Sequence, residues 1–211
     1  VQERLRQQYG GTRIGRQEIM AEWLDDVPGA LWQWSMFHAK PLLEIPALAR
    51  IVVAIDPAVT ANKTSDDTGI IVVGRADTDE YYVLSDYSGK YSPDAWAGKA
   101  IDAYELHKAD RIIGEVNNGG DMVEHTLRTI RTGIPYTAVH ATRGKRIRAE
   151  PIAALYEQGK VFHAPGLNDL EEQLVSWTPD SSGSPDRLDA LVWAMTELSQ
   201  KGKPNIRWIT I

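Results

Sequence analysis

After Arg50 the chain reads Ile-Val-Val-Ala-Ile and then Asp56-Pro57, an apolar, mostly β-branched run that ends on a carboxylate. Branched side chains pack well on a pleated surface, and a run with no polar alternation fits a central strand buried on both faces. Pro57 has no amide hydrogen to extend the ladder, so the strand stops there and leaves Asp56 at its carboxyl end. A carboxylate held against an apolar core costs several kcal/mol unless something cationic compensates it. A cation at that strand end would supply the compensation.

The pattern after this strand narrows the fold class. Gly69 to Gly74 predicts a second strand and Tyr81 to Tyr87 a third, with the polar stretch from Ala76 to Glu80 as the turn between them. Three strands with short connections imply an antiparallel meander. Ser92-Pro93-Asp94 predicts a helix start, Ser92 as N-cap and Pro93 in the first helical position, running to about His107. A strand at Arg111 to Val116, a helix at Gly119 to Thr132, a strand at Tyr136 to His140 and a helix at Arg146 to Gln158 follow, the last stopped by Gly159. The brief apolar piece Val161-Phe162, a helix over Leu167 to Trp177 and an amphipathic helix over Pro185 to Leu198 close the domain. This is the order of a ribonuclease H-like α/β fold, whose mixed sheet has three antiparallel strands and then parallel strands, with helices on both faces.

Residues 1–47 have a different texture. They carry Gly10-Gly11, Pro28-Gly29 and the tryptophans Trp23, Trp32 and Trp34, with helical periodicity only in short pieces such as Arg16 to Leu24. They read as a linker or docking segment, and Pro41 and Pro46 punctuate the entry to a main domain over 48–201, followed by a tail over 202–211. A chain of 211 residues can bury one substantial core. It contains no cysteine, which excludes a disulfide framework and a thiolate metal site, so any metal must be held by oxygen or imidazole. No run approaches the roughly 20 apolar residues that a membrane-spanning helix needs. The net charge of −6 argues at first against nucleic acid, because phosphate binding is driven by lysine and arginine. The average hides local structure: Arg143, Lys145, Arg146 and Arg148 sit together, and Arg4, Arg6, Arg13 and Arg16 cluster near the start.

Open α/β sheets collect ligands at the carboxyl ends of their parallel strands. Asp56 ends the first strand, Glu115 lies near the end of the fourth, and Asp189 sits in the first turns of the last helix. Taken singly each has a bland explanation, Asp56 as a turn residue and Glu115 as the partner of a buried arginine. Three acids at these stations fit a pair of divalent cations about 4 Å apart, which activate a water on one side of a phosphodiester and steady the leaving oxygen on the other. In that scheme Asp56 bridges the ions, Glu115 holds one and Asp189 the other. Asp67 and Asp186 are auxiliary candidates, although Asp67 also suits a hairpin turn and Asp186 suits a helix start beside Pro185. Arg143, Lys145, Arg146 and Arg148 are candidate DNA-phosphate contacts, with a solvated helix face as the alternative. Trp96, Trp177 and Trp193 fall among apolar neighbours and read as core aromatics. Asn117 and Asn118 suit helix capping, and His140 is the one histidine placed at a strand end.

Several stretches go beyond topology. Ser184-Pro185-Asp186-Arg187-Leu188-Asp189-Ala190 resembles the last acidic motif of the terminase large subunits of tailed phages. The segment from Gly11 to Trp32 is similar to the region joining the packaging ATPase to the nuclease in that family, and Lys145 to Pro151 with Leu155 to Val161 also matches. The resemblance implies a nuclease that cuts concatemeric double-stranded DNA at the start and end of packaging, using two magnesium or manganese ions held by Asp56, Glu115 and Asp189. It further implies an ATPase domain of the same polypeptide, the portal and the small terminase subunit as partners, in the cytoplasm of an infected bacterial host. No Gly-x-x-x-x-Gly-Lys-Ser/Thr loop is present, so ATP hydrolysis is not expected of this chain. Two rival classes share parts of the pattern. A Holliday-junction resolvase has the same fold but gives no reason for the Trp-Gln-Trp segment, and an actin-like phosphotransferase needs a duplicated domain for which the chain is too short.

Overall fold

A computed structural model describes residues 26–57, 67–116, 121–181 and 185–199. The strands are β1 (His38–Ala39), β2 (Leu48–Asp56), β3 (Gly69–Ala76), β4 (Tyr81–Asp86), β5 (Arg111–Glu115), β6 (Tyr136–Val139) and β7 (Val161–His163). The helices are α1 (Pro93–Leu106), α2 (Asp121–Ile130), α3 (Lys145–Glu157), α4 (Asn168–Ser176) and α5 (Asp186–Ser199). One sheet contains all these strands in the order β1-β7-β4-β3-β2-β5-β6. The β2–β3 and β3–β4 pairs are antiparallel, whereas β5, β6, β7 and β1 join through parallel pairs. This is the mixed sheet of the ribonuclease H-like order. No described helix is long and apolar enough to cross a membrane.

Alternation along the strands divides the core in two. Val52, Ala54, Ile71, Val73 and Ile113 face the layer made by α3, α4 and α5, while Ile51, Val53, Ile55, Ile70 and Ile112 face α1 and α2. Both faces of β2 are therefore buried, as its unbroken apolar run requires.

Two departures from the sequence reading have a common cause. The piece at Val161 is a true strand, parallel to β4 on one side and β1 on the other, and Phe162 stacks on Tyr82 with ring centroids 5.4 Å apart. The described part of the supposed linker, 26–47, packs on the same body. Trp32 is fully buried with its ring edge-on to Tyr156, and Phe37 meets the same tyrosine at 5.8 Å. Trp32 and Trp34, which looked like part of a docking feature, are core residues, because large aromatic surfaces are costly to leave in water, and Trp23 lies outside the described residues. Residues 1–25 and the tail over 202–211 lie outside the described residues, together with Arg4, Arg6, Arg13 and Arg16.

The last helix is seated on the sheet by a close approach and two polar clamps. Gly69 pairs with Asp56 across the β2–β3 ladder, and a Cβ built on it would lie 2.0 Å from the backbone oxygen of Asp186 and 3.1 Å from Ala190 Cβ. Only a residue without a side chain lets the first turn of α5 rest there. At the same end Arg187 donates to Asp86 and Asp67, both at 3.0 Å. At the far end Glu197 takes Arg50 at 2.8 Å and Arg111 at 3.4 Å, tying α5 to β2 and β5. We expect Gly69→Ala to lower stability by about 3 kcal/mol, the upper part of the range for overpacking, because the clash is with backbone and cannot be relieved by a rotamer. Chemical denaturation against wild type measures it, and a loss below about 1 kcal/mol would contradict the close approach.

Candidate active site

The sheet register alone brings two acids together. In the parallel β2–β5 pair Ile55 lies beside Gly114, so Asp56 and Glu115 occupy the next position on adjacent strands and point to the same face. Their neighbours two residues back, Ala54 and Ile113, belong to the core under α5, and the two acids continue that face at the strand ends. Helix α5 supplies the others: Asp186 and Asp189 are three apart, one above the other, in its first turn. Asp56, Glu115, Asp186 and Asp189 are all buried. Burial pushes the Asp56 carboxyl well above the usual range, and the charges of Asp189, Glu115 and Asp186 push it further, with Lys145 pulling weakly against them. The three acids assigned from the sequence thus share one site, and Asp186 joins them.

The compensating cations come from the start of α3. Lys145 Nζ lies 2.6 Å from Asp189 Oδ2, and Arg148 Nη2 lies 3.5 Å from Asp189 Oδ1. These residues are three apart on one helical face, which is how two cations of the run reach one carboxylate. Arg148 Nη1 is 4.0 Å from Glu115 Oε2, and its guanidinium lies over the ring of Trp193 at 4.5 Å. Burial raises the Asp189 pKa, opposed by Lys145 and Arg148. As it stands, no group of three or more His, Asp or Glu side chains among the described residues is arranged to hold a metal ion. Lys145 and Arg148 engage the oxygens of Asp189. The donor set itself fits a hard divalent cation: buried carboxylates without sulfur or imidazole, and Asp56 flanked by like charges.

The basic run is divided by the helix. Lys145 and Arg148 turn inward, whereas Arg146 bonds Glu150 one turn on, at 2.7 Å on the exposed side. Arg143 is exposed and lines a cavity of about 300 Å³ with His140, Arg148 and Trp193. Asp67 is held by Arg187, which also takes Asp86 and approaches Asp169 at 3.8 Å, and Asp67 is not among the acids acting on Asp56. Trp96 and Trp177 are core aromatics, as the sequence implied. Trp193 is more than that, because its Nε1–H donates to Glu115 Oε2 at 2.7 Å. The sequence reading missed this donor and the Arg187 clamp. The available signal was spacing, since Trp193 stands one helical turn beyond Asp189 on the same face. Asn117 and Asn118 lie outside the described residues.

A family model described as the terminase RNaseH-like domain matches residues 53–198. The chain belongs to this family. Solved structures agree with the terminase fold. The large terminase nuclease from thermophilic phage G20c, with bound magnesium, superposes with a TM-score of 0.59 at 15% identity, over 81% of this chain and 98% of that one. The large terminase from a second thermophilic bacteriophage gives 0.60 at 14% identity, over 93% of this chain and 52% of that one, so this terminase chain spans about half of it. The nuclease domain of the large terminase subunit gp2 of bacterial virus Sf6 gives 0.55 at 15% identity, over 72% and 90%. A comparison with curated protein sequences gave no match.

The charge pattern separates two carboxylates that the sequence treated alike. A carboxyl whose folded pKa is raised destabilises the fold as pH climbs from its unfolded value through its folded one, and does not do so below the unfolded value. Without divalent metal, Asp56→Asn is therefore expected to melt higher than wild type at pH 7, the gap closing as pH falls to about 4. Asp189→Asn is expected to gain less at pH 7 than Asp56→Asn, because Lys145 and Arg148 oppose the burial that raises the Asp189 pKa and lose a charged partner in the variant. Melting curves of both variants from pH 4 to 8 test the distinction, and equal behaviour would refute it.

Proposed function

We propose that this domain is a metal-dependent endonuclease that hydrolyses phosphodiester bonds of concatemeric double-stranded DNA during packaging of a phage genome. The observation that carries the reading is the meeting of Asp56, Glu115 and Asp189, from two strands and a helix, in one buried site where Asp56 is flanked by other acids. Membership of the terminase family and the magnesium-bound G20c relative support it. Two magnesium or manganese ions would supply an activated water and charge stabilisation at the leaving oxygen.

The residues of the chain divide the remaining work. Asp56 on β2, Glu115 on β5 and Asp189 on α5 would hold the ions, and Asp186 adds negative charge beside Asp56. Lys145 is the counter-ion that gives way: its ammonium is 41% exposed on a flexible stem, so it can release Asp189 when the site fills and turn toward a phosphate. Arg143, exposed beside the cavity, and Arg146 on the outer side of α3 extend a cationic edge along which a DNA backbone is held without reading bases. Auxiliary ligation by Asp67 has no support, because Arg187 holds it. In the complete motor the domain acts beside an ATPase domain of the same polypeptide, with the portal and the small terminase subunit, in the host cytoplasm.

A supercoiled-plasmid nicking assay tests the reading. Wild type is expected to nick and linearise with magnesium or manganese, to stop with EDTA, and to need no ATP, while Asp56→Ala has no activity. Cutting is expected to show little sequence preference and to fall at least about tenfold between roughly 50 and 200 mM salt, as phosphate contacts dictate. Cleavage by Asp56→Ala at the wild-type rate, or salt-independent cleavage, would overturn it.

A further inference from the structure

We propose that Trp193 is a positioning residue for the nuclease site, holding Glu115 in its ligating orientation through the indole N–H. Three observations converge on it. Trp193 Nε1 donates to Glu115 Oε2 at 2.7 Å, a short bond between two residues each 6% exposed. The indole is itself braced by the Arg148 guanidinium over its face, 4.5 Å from the ring centroid. Trp193 also lies on the same face of α5 as Asp189, four residues and about one turn on, so one helix delivers a ligand and the donor that orients another ligand.

The chemistry of the donor gives the bond its meaning. Asp189 is held by two cations, and cations compete with a metal for the same carboxylate. An indole N–H is neutral and has no acceptor capacity. It fixes the direction of Glu115 without neutralising it, so it does not have to leave when a divalent ion arrives. With Oε2 accepting from the indole, Oε1 would remain open to a divalent ion. Outer partners of this kind typically contribute 10- to 100-fold to metal affinity or activity.

The inference rests on the nuclease reading, and the test separates the two. Trp193→Phe keeps the aromatic packing and removes the donor. With its fold confirmed by circular dichroism, it is expected to need about tenfold more magnesium for half-saturation, by calorimetry and by cleavage, and to recover most of the wild-type rate at saturating magnesium. An unchanged magnesium midpoint in the folded variant overturns the inference. In wild type, the Trp193 indole N–H resonance, assigned by triple-resonance spectra, is expected to shift along the magnesium titration with the calorimetric midpoint. A resonance indifferent to magnesium also overturns it, and this readout stands even if Trp193→Phe does not fold. Glu115→Ala is the control and is expected to lose both magnesium binding and cleavage. If Glu115→Ala is inactive while Trp193→Phe titrates as wild type, only the role of Trp193 falls. If Glu115→Ala binds and cuts normally, the metal-site reading falls with it.

Discussion

The structure depends on the balance between acids gathered at one end of the sheet and the cations that α3 sets against them. Asp56 and Glu115 are placed by the parallel register of β2 and β5, and Asp189 by the seat of α5 on Gly69. None of these placements is negotiable without moving a core element. The resulting negative charge is met by Lys145 and Arg148 on α3, in the same helical layer as α5. The geometry of the acidic site and core packing are thus one arrangement, since the face that buries Ala54 and Ile113 is the face that presents the acids.

Much of the fold was legible because its signals were local. The apolar runs of β2, β3 and β4 and the Ser92-Pro93 helix start each specify an element without reference to the rest of the chain. The strand β7 and the burial of Trp32 were not legible in the same way. Both depend on contacts between distant positions, Phe162 with Tyr82 and Trp32 with Tyr156, and a sequence read in short windows cannot show which surfaces will meet.

The acids were found for a related reason. An ionisable residue at the end of a buried strand is a local anomaly, visible in Ile-Val-Val-Ala-Ile-Asp and in Arg-Ile-Ile-Gly-Glu. Their partners carry no such mark. The run Arg143 to Arg148 reads as a uniform basic patch until α3 turns Lys145 and Arg148 inward and leaves Arg146 on Glu150 outside. Asp67 looked like a candidate ligand because acids attract attention near a hairpin, yet Arg187, one residue from Asp186, had a structural use for it. Trp193 looked like core because tryptophan usually is, and its ring is indeed buried.

The pairing of Asp189 with Lys145 and Arg148 also bears on the order in which such a protein is made. Small domains whose ligands have no internal counter-charge, such as zinc fingers, remain unfolded until their metal arrives. Here the chain carries its own counter-charges at Asp189, so on the proposed reading a divalent ion would enter a shell already formed, and a chelator would silence the domain without unravelling it.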